Sequence, residues 1–505
     1  MNLIEKLIEK IHVYDGSKGS ILMQMGLKGG EIPDMWNIER GGAVLDLYSG
    51  YIGAGADIIQ TNTMQASRYH LEARGLYEKL REINTEGIRL AKRAVRESGR
   101  NVLVAASIGP LGGLMEPLGE MGLEDAVTAF AEQVEAVSDA GADILHFETF
   151  TDLAELRAAL LAAGSISNLP MIATMSYGKN GKTIMGDDAR LSALYLKAAG
   201  VSCIGANCSL NPFEMLPIIK IMSEVSVPIC VKPNGSGNGL ADTDSRTKEL
   251  ETFYTSSLEF AANGARLIGG CCGSNPEHIA MIRRAVDDYM KHEQHQEKCA
   301  FIECGQEKCE YAEYRKEKCD YTEYGQEKCA FTECGKEQVT ESERKLLISH
   351  KQELILNDAE LAVKNGLIDE IVLNSMDDED DVISAMIEIS GNPGKACVVT
   401  AYTGVAPRSR VKEKHLDTIG IEKLATLSKH TAINAKAYLN KPIIFDTDSP
   451  EVLKSGLRHY CGIAGVLFQA GCEGGAHSAV AKSKVLKSIA QKYGALCLGE
   501  SITKI

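Results

Sequence analysis

The sequence predicts a parallel α/β protein: an N-terminal (β/α)8 TIM barrel over residues 1–292, a decapeptide-repeat linker at 297–336 and a smaller C-terminal α/β domain over 345–505. Eight short apolar runs that alternate with helical patterns predict the barrel, because strands separated by helices form parallel sheets. The runs recur roughly every 25 to 45 residues, which is the usual size of one β/α unit. The repeat indicates the boundary between the two α/β parts.

Each of the eight runs is apolar where it begins and polar where it ends. In chain order they are His12–Asp15, Ala56–Thr63, Val102–Gly109, Ala142–Thr149, Met171–Tyr177, Ser202–Ser209, Pro228–Gly235 and Ala265–Cys272. The stretches between them carry apolar residues three and four positions apart, as Val127, Phe130, Val134 and Val137 do. That spacing predicts amphipathic helices.

The polar ends of the runs are the stronger clue to function. They comprise Asp15, Thr61, Asn62, Thr63, Ser107, Glu148, Thr149, Ser176, Asn207, Cys208, Asn234, Cys271 and Cys272. Because barrel active sites lie at the C-terminal ends of the strands, we expect these side chains to meet at one mouth. Ordinary polar turn residues would explain one or two of these ends, but not thiols at two of them.

Cys208, Cys271 and Cys272 form a candidate metal centre. Three thiolates around one Zn²⁺ leave a tetrahedral position open, which is typical of catalytic zinc. A redox-active pair of the two adjacent cysteines is a rival interpretation, although a disulfide between neighbours is strained. A phosphate site at the glycines before them is another, and it leaves the thiols unexplained. Cys203 and Cys230 lie inside runs and are expected to be core thiols.

Composition narrows the class of protein. Of the 505 residues 44% are apolar and 24% charged, and the net charge of −15 argues against nucleic acid as a partner. No run approaches the ~18 apolar residues of a membrane span, so no membrane partner is expected. The first ten residues lack the apolar stretch of a signal peptide. With 15 cysteines, the expected setting is a reducing cytoplasm.

The linker consists of four copies of a ten-residue unit built on Glu-Lys-Cys. The copies begin at Glu297, Glu307, Glu317 and Glu327. The first and last copies carry a second cysteine, whereas Tyr314 and Tyr324 replace it in the middle copies. A unit this short buries little apolar area, which favours a charged linker; a metal-binding or redox array is the alternative.

Seven segments of the barrel carry a resemblance to a known family. They are Asp15-Gly16, Ala54–Thr63, Ser107–Pro110, Glu148-Thr149, Gly205–Ser209, Pro233–Gly235 and Gly269–His278. In this order they resemble the homocysteine S-methyltransferase family, which includes the homocysteine module of cobalamin-dependent methionine synthase. Two positions depart from it. Lys18 follows Ser17 where the family usually has small residues and Met, and Met64 stands where Phe is common.

The resemblance implies a zinc-dependent methyltransferase that moves a methyl group onto the thiol of homocysteine to give methionine. The three cysteines would be the catalytic and metal residues, and the substrate sulfur would be the fourth zinc ligand. The implied substrate-binding residues are Asp15, Glu148, Thr149, Asn207 and Asn234. Glu148 suits the substrate ammonium, with helix capping as its alternative role. Asn234 either touches substrate or shapes its own Pro-Asn-Gly turn.

The C-terminal part again predicts parallel α/β structure. Its expected strands are Glu370–Leu373, Ala396–Thr400, Pro442–Asp446, Ile463–Leu467 and Ala495–Leu498. Lys441–Leu457 resembles part of the pterin-binding domain that follows the homocysteine barrel in methionine synthase. The 345–505 segment is too short for a full barrel, and Leu467 follows where that family places Asn-Ser. We therefore expect a degenerate scaffold or a docking surface rather than a folate site.

The absence of a corrinoid-binding motif from the sequence bears on the expected methyl donor. No Asp-x-His-x-x-Gly corrinoid signature occurs in the sequence, so cobalamin is not expected on this chain. The expected donors are methylcobalamin on a partner corrinoid protein or a small sulfonium, S-methylmethionine. Two alternatives remain open: corrinoid-partnered methyl transfer involving another thiol, and a non-catalytic metal-handling scaffold whose repeat binds thiophilic metal.

Overall fold

The computed structural model describes most of the N-terminal part and segments of the C-terminal part. The described residues are 9–237, 243–301, 345–348, 353–356, 368–373, 378–390, 396–401, 418–438, 443–447, 449–460, 464–467, 486, 488–490, 493 and 496–497. Most of the 297–336 repeat lies outside them, so its predicted role stays a prediction. In the described part no helix is long and apolar enough to cross a membrane.

Eight parallel strands form the N-terminal sheet, as predicted. They are β1 His12–Val13, β2 Ile58–Gln60, β3 Leu103–Ile108, β4 Ile144–Phe150, β5 Met171–Met175, β6 Cys203–Asn207, β7 Ile229–Lys232 and β8 Ala265–Ile268. Their order in the sheet is β1-β8-β7-β6-β5-β4-β3-β2. A parallel bridge between Tyr14 and Ile58 joins the two end strands. The barrel is therefore closed, and the predicted (β/α)8 fold is confirmed.

Helices surround this barrel. They are α1 Gly19–Gln24, α2 Trp36–Glu39, α3 Gly41–Gly53, α4 Arg68–Glu72, α5 Leu80–Ser98, α6 Leu123–Asp139, α7 Leu153–Ile166, α8 Ala189–Ala198, α9 Pro212–Ser223, α10 Thr243–Ala262 and α11 Pro276–Phe301, with short 3-10 turns at Pro33–Met35 and Tyr77–Lys79. Asp152, Asp188 and Asn211 cap α7, α8 and α9 by accepting backbone N–H bonds. These caps fix where each loop from a strand end enters its helix.

The barrel interior changes from apolar to polar along the strands. One layer takes a buried residue from each strand or its end: Tyr14, Ile58, Ala105, Ile144, Ile172, Cys203, Cys230 and Leu267. Strand residues two apart share a face, so His146 and Glu148 lie on the interior face above Ile144. Cys203 and Cys230 are buried in the apolar layer, as expected of core thiols. The polar residues above it form the floor of the mouth.

The C-terminal part contains a five-stranded parallel sheet in the order β11-β12-β13-β14-β15. Its elements are β11 Ile368–Val372, α12 Glu379–Ser390, β12 Ala396–Ala401, α13 Thr418–Tyr438, β13 Ile443–Thr447, α14 Pro450–His459, β14 Gly465–Leu467 and β15 Leu496–Cys497. All five predicted strands are confirmed. An antiparallel pair, β9 Lys345–Ile348 and β10 Glu353–Leu356, precedes them and was not predicted.

Candidate active site

The three thiols of the predicted metal centre meet at the C-terminal ends of β6 and β8. Their sulfur atoms all lie within 4.8 Å of one another, and Cys208 Sγ is 3.7 Å from Cys272 Sγ. Strand β7, which lies between β6 and β8, bonds to the loops that carry the thiols. The Cys208 amide donates to Lys232 O at 3.0 Å, and the Cys271 amide donates to Pro233 O at 2.8 Å. The meeting of thiols 63 residues apart in sequence is thus fixed by the backbone of β7 and the residues after it.

Two residues of the β6 loop adopt a backbone conformation that favours glycine. Cys208 has φ 62° and Ser209 has φ 59°. Left-handed backbone at a residue with a side chain costs roughly 1–2 kcal/mol, and such positions cluster at functional sites. In the loop after β8 a glycine is required instead, because a Cβ on Gly273 would lie only 2.1 Å from Gly235 O. Both features let the thiol loops approach closely.

The thiol cluster fits a zinc ion. With Zn–S bonds near 2.3 Å, tetrahedral geometry places thiolate sulfurs about 3.8 Å apart, close to the 3.7 Å between Cys208 and Cys272. Hydrogen bonds from Cys271 and Cys272 lower the pKa of Cys208 to about 3. The same contact with Cys208 raises the pKa of the other two thiols. A cluster that already holds one thiolate beside two thiols is suited to a cationic metal, which would displace the remaining protons.

Asn207 connects the cluster to the end of β4. Its Nδ2 donates to Thr149 Oγ1 at 2.7 Å and lies 3.6 Å from Cys271 Sγ, while its Oδ1 accepts from the Thr149 amide at 2.9 Å. Thr149 has φ 66°, and these two bonds hold it in that conformation. Asn234 contacts the cluster at Cys208: its side chain hydrogen-bonds Cys208, and its buried Oδ1 has no hydrogen-bond partner among the described residues. That oxygen remains available as an acceptor.

Glu148, next to Thr149, is an ionised carboxylate inside the mouth. Its side chain is buried and accepts a short hydrogen bond from Ser107 Oγ. Burial alone would raise its pKa, but the nearby ammonium groups of Lys18 and Lys232 and the hydrogen bond from Ser107 lower the pKa of Glu148 to about 2. The carboxylate is therefore charged throughout the physiological pH range and can accept a cationic group.

A family model described as Homocysteine S-methyltransferase matches residues 12–286, which cover all eight barrel strands. The chain belongs to this family.

Two curated relatives and one solved structure illustrate the similarity. Methionine synthase of Mycobacterium tuberculosis is 27% identical over 315 residues, which are 58% of this chain and 26% of that protein. Methionine synthase of Mycobacterium leprae is 27% identical over 306 residues, 56% of this chain and 25% of that protein. The chain thus spans about a quarter of the length of these relatives. The metallated form of the homocysteine methyltransferase MmuM from Escherichia coli is 24% identical with TM-score 0.48, covering 55% of this chain and 96% of that one.

Lys232 is a charged residue of the barrel interior that the sequence analysis missed. Its side chain is 1% exposed, and its Nζ bonds Asp15 Oδ1 at 3.2 Å and, at short range, Gln60 Oε1. The backbone N–H of Gln60 donates to Asp15 Oδ2 at 2.7 Å. Both oxygens of Asp15 thus have internal partners, which suits a positioning role better than direct contact with substrate. A lysine ending the apolar run Ile229–Lys232 was the available signal.

His146 was also missed, and it supports Asn207 through a chain of hydrogen bonds. Gln60 Nε2 lies 3.0 Å and Tyr14 Oη 3.1 Å from His146 Nδ1. Because both face Nδ1 as donors, the hydrogen resides on Nε2, which lies 3.0 Å from Thr174 Oγ1. That hydroxyl donates to Asn207 Oδ1 at 2.7 Å. Burial lowers the pKa of His146 to about 3, so the ring is neutral and keeps this direction.

Proposed function

We propose that the barrel is a zinc-dependent methyltransferase that transfers a methyl group to the thiol of homocysteine and yields methionine. The observation that carries the proposal is the convergence of three thiols with Asn207 and the ionised Glu148 at one barrel mouth. Membership of the homocysteine S-methyltransferase family supports the same substrate. Cys208, Cys271 and Cys272 would hold the zinc ion. When bound, zinc would bind the substrate sulfur as a thiolate that remains nucleophilic.

The protein residues then have distinct tasks. Glu148 would accept the substrate ammonium, and Asn207 would hold Thr149 and the Cys271 loop in register. In the reaction the substrate sulfur loses its proton to solvent and forms a bond to the methyl carbon. The bond between that carbon and the donor breaks, and its electron pair leaves with the donor. Asp15 and Lys232 form a buried ion pair without net charge, which keeps the floor of the mouth fixed.

Exposed apolar side chains around the barrel mouth favour a large methyl donor. Large apolar side chains are exposed in the loops and helices that follow β1, β3, β5 and β6. They are Met23, Met25, Leu114, Leu118, Ile184 and Phe213. Apolar rims of this kind favour contact with another macromolecule. We therefore place methylcobalamin on a partner corrinoid protein first, and S-methylmethionine second.

The test is methionine formation by the zinc-loaded full chain. Purified protein is supplied with homocysteine and, separately, methylcobalamin, methyltetrahydrofolate or S-methylmethionine, and methionine is quantified. We expect product with methylcobalamin or S-methylmethionine, its loss in Cys208→Ser, and its retention in Cys203→Ala, which changes a core thiol. No methionine from any donor with zinc fully bound would refute the homocysteine assignment and favour another thiol or a metal-handling role.

A further inference from the structure

Lys18 places a second cation beside Glu148. Its Nζ lies 4.0 Å from Glu148 Oε1 and 3.4 Å from Gln60 Oε1, and its side chain is 12% exposed. Both contacts are longer than a charge-assisted hydrogen bond, which is about 2.7–2.9 Å. Lys18 is therefore near Glu148 without being tightly bonded to it.

The backbone around Lys18 is fastened to the loop that carries the thiols. The Ser17 amide donates to Ser274 Oγ at 3.1 Å, and the Gly273 amide donates to Ser20 Oγ at 3.1 Å. These bonds lie on either side of Lys18 and join its segment to the residues directly after Cys272. The backbone that carries Lys18 is thus held next to the loop that carries the thiols, and its ammonium group lies 4.0 Å from Glu148.

Lys232 provides a useful contrast. Its charge is matched by Asp15 at 3.2 Å, its Nζ lies 4.5 Å from the centre of the Tyr14 ring, and its side chain is almost fully buried. Lys18 has neither a short carboxylate partner nor an aromatic face among its contacts in the described residues. Of these two cations, Lys18 is the one whose charge is open to an incoming anion.

We propose that Lys18 binds the carboxylate of the thiol substrate, so that Lys18 and Glu148 together recognise an α-amino acid head group. The inference rests on the proposed function. A substrate ammonium that reaches Glu148 competes with Lys18 for the same carboxylate. The substrate carboxylate, on the same carbon as that ammonium, then offers Lys18 a replacement partner. The exchange breaks no short ion pair, because the two side chains are 4.0 Å apart.

A simpler role for Lys18 makes a different prediction. If its charge served only to keep Glu148 ionised, its loss would weaken every ligand that places an ammonium on Glu148. If it binds the carboxylate, its loss matters only for ligands that have one. Homocysteine and its amide, which keeps the thiol and the ammonium but has no carboxylate, separate the two roles.

The experiment measures dissociation constants by calorimetry on the zinc-loaded full chain. The ligands are homocysteine, homocysteine amide and 4-mercaptobutyrate, which has no ammonium. We expect Lys18→Met to weaken homocysteine about tenfold or more, and the amide by no more than about twofold. Glu148→Gln should weaken homocysteine and the amide but hardly affect 4-mercaptobutyrate. Lys18→Arg should restore most of the homocysteine affinity. Lys28→Met, which changes an exposed lysine ten residues further along the chain, should leave all three dissociation constants unchanged.

Equal weakening of homocysteine and its amide in Lys18→Met would overturn the inference while leaving the proposed function intact. Failure of the wild-type protein to bind any of the three thiols would instead remove the proposed function, and the inference with it. Zinc content, measured on each variant, must match the wild type, since it separates loss of head-group binding from loss of the metal centre.

Discussion

Asn207 and Thr149 bond to each other twice: the asparagine Nδ2 donates to Thr149 Oγ1 at 2.7 Å, and its Oδ1 accepts from the Thr149 amide at 2.9 Å. This pair fixes a left-handed residue at the end of β4, directly after Glu148. The same Nδ2 lies 3.6 Å from Cys271 Sγ. One amide side chain therefore sets the position of both the proposed ammonium site and a proposed metal ligand.

Replacing Asn207 with alanine should disturb both. The change removes the partners of Thr149 and leaves buried polar groups unpaired, so we expect the free energy of unfolding to fall by about 1–3 kcal/mol. Loss of an outer contact to a metal ligand typically lowers metal affinity about 10–100-fold. Chelator competition measures the zinc affinity and urea unfolding the stability. Asn263→Ala, at a partly buried position directly after α10, is the matched control, and equal zinc affinity in both variants would contradict the expectation.

Zinc stoichiometry distinguishes the barrel site from a metal-binding repeat. We expect one zinc per chain, lost in Cys208→Ser and retained in Cys203→Ala, by elemental analysis of the full chain. Three thiolates with one open position are characteristic of a catalytic zinc site. Several equivalents of zinc that persist in Cys208→Ser would point to the cysteines of the 297–336 repeat instead.

Asp34 should make stability depend on pH. Burial raises the pKa of Asp34 to about 7, although the Gln65 amide donates to its Oδ1 at 2.9 Å. A carboxyl whose pKa is raised by folding stabilises the protein fully below its unfolded pKa, and that contribution is lost as pH rises through about 7.

The variant Asp34→Asn keeps the acceptor oxygen without the titration. From about pH 5 to about pH 8 the wild type loses the contribution of Asp34 and the variant does not. The unfolding free energy of the variant should therefore rise relative to that of the wild type by about 1 kcal/mol or more over this range. Urea unfolding at the two pH values measures the gain. Asp46→Asn, which changes an exposed carboxylate on α3, should show the same difference from wild type at both.

Arg157 joins the barrel to the C-terminal part. This buried residue of α7 donates to Leu457 O and, at 3.0 Å, to Arg458 O in the last turn of α14, and also to Tyr195 Oη at 2.9 Å. Arg157→Ala should leave the end of α14 without these donors and cost about 1–3 kcal/mol locally. Faster amide hydrogen exchange in α14 would report this loss. Arg93→Ala, on the exposed face of α5, is the control, and unchanged exchange in α14 would refute the contact.

The strands were predictable because buried parallel strands are short continuous apolar runs. The same logic placed Cys208, Cys271 and Cys272 at one mouth, since the ends of parallel strands lie together. What could not be predicted was which polar residues bond to one another. Asp15 has both oxygens occupied by Gln60 and Lys232, a pairing that depends on which strands are neighbours in the sheet rather than on any local pattern.

His146 and Lys18 show the same limit. A histidine inside a buried run is most simply a core residue, and its connection to Asn207 passes through Thr174 on another strand. Lys18 stood out only as a departure from the family pattern. Its position beside Glu148 depends on the bonds that tie Ser17 and Ser20 to the loop after β8. The spacing of apolar residues in the sequence does not predict contacts between the loops of distant strands.

The backbone bonds from the end of β7 to both thiol loops have a mechanical consequence. Strand β8, which leads into Cys271, pairs with β1, and β1 in turn meets β2 where the barrel closes. A metal held by Cys208, Cys271 and Cys272 would cross-link the loops that follow β6 and β8, on one side of the barrel mouth. Chelation should speed amide exchange at Cys208 and Cys271 while β3 and β4 stay protected. Metal supply would then regulate the rigidity of one side of the rim independently of the remaining barrel.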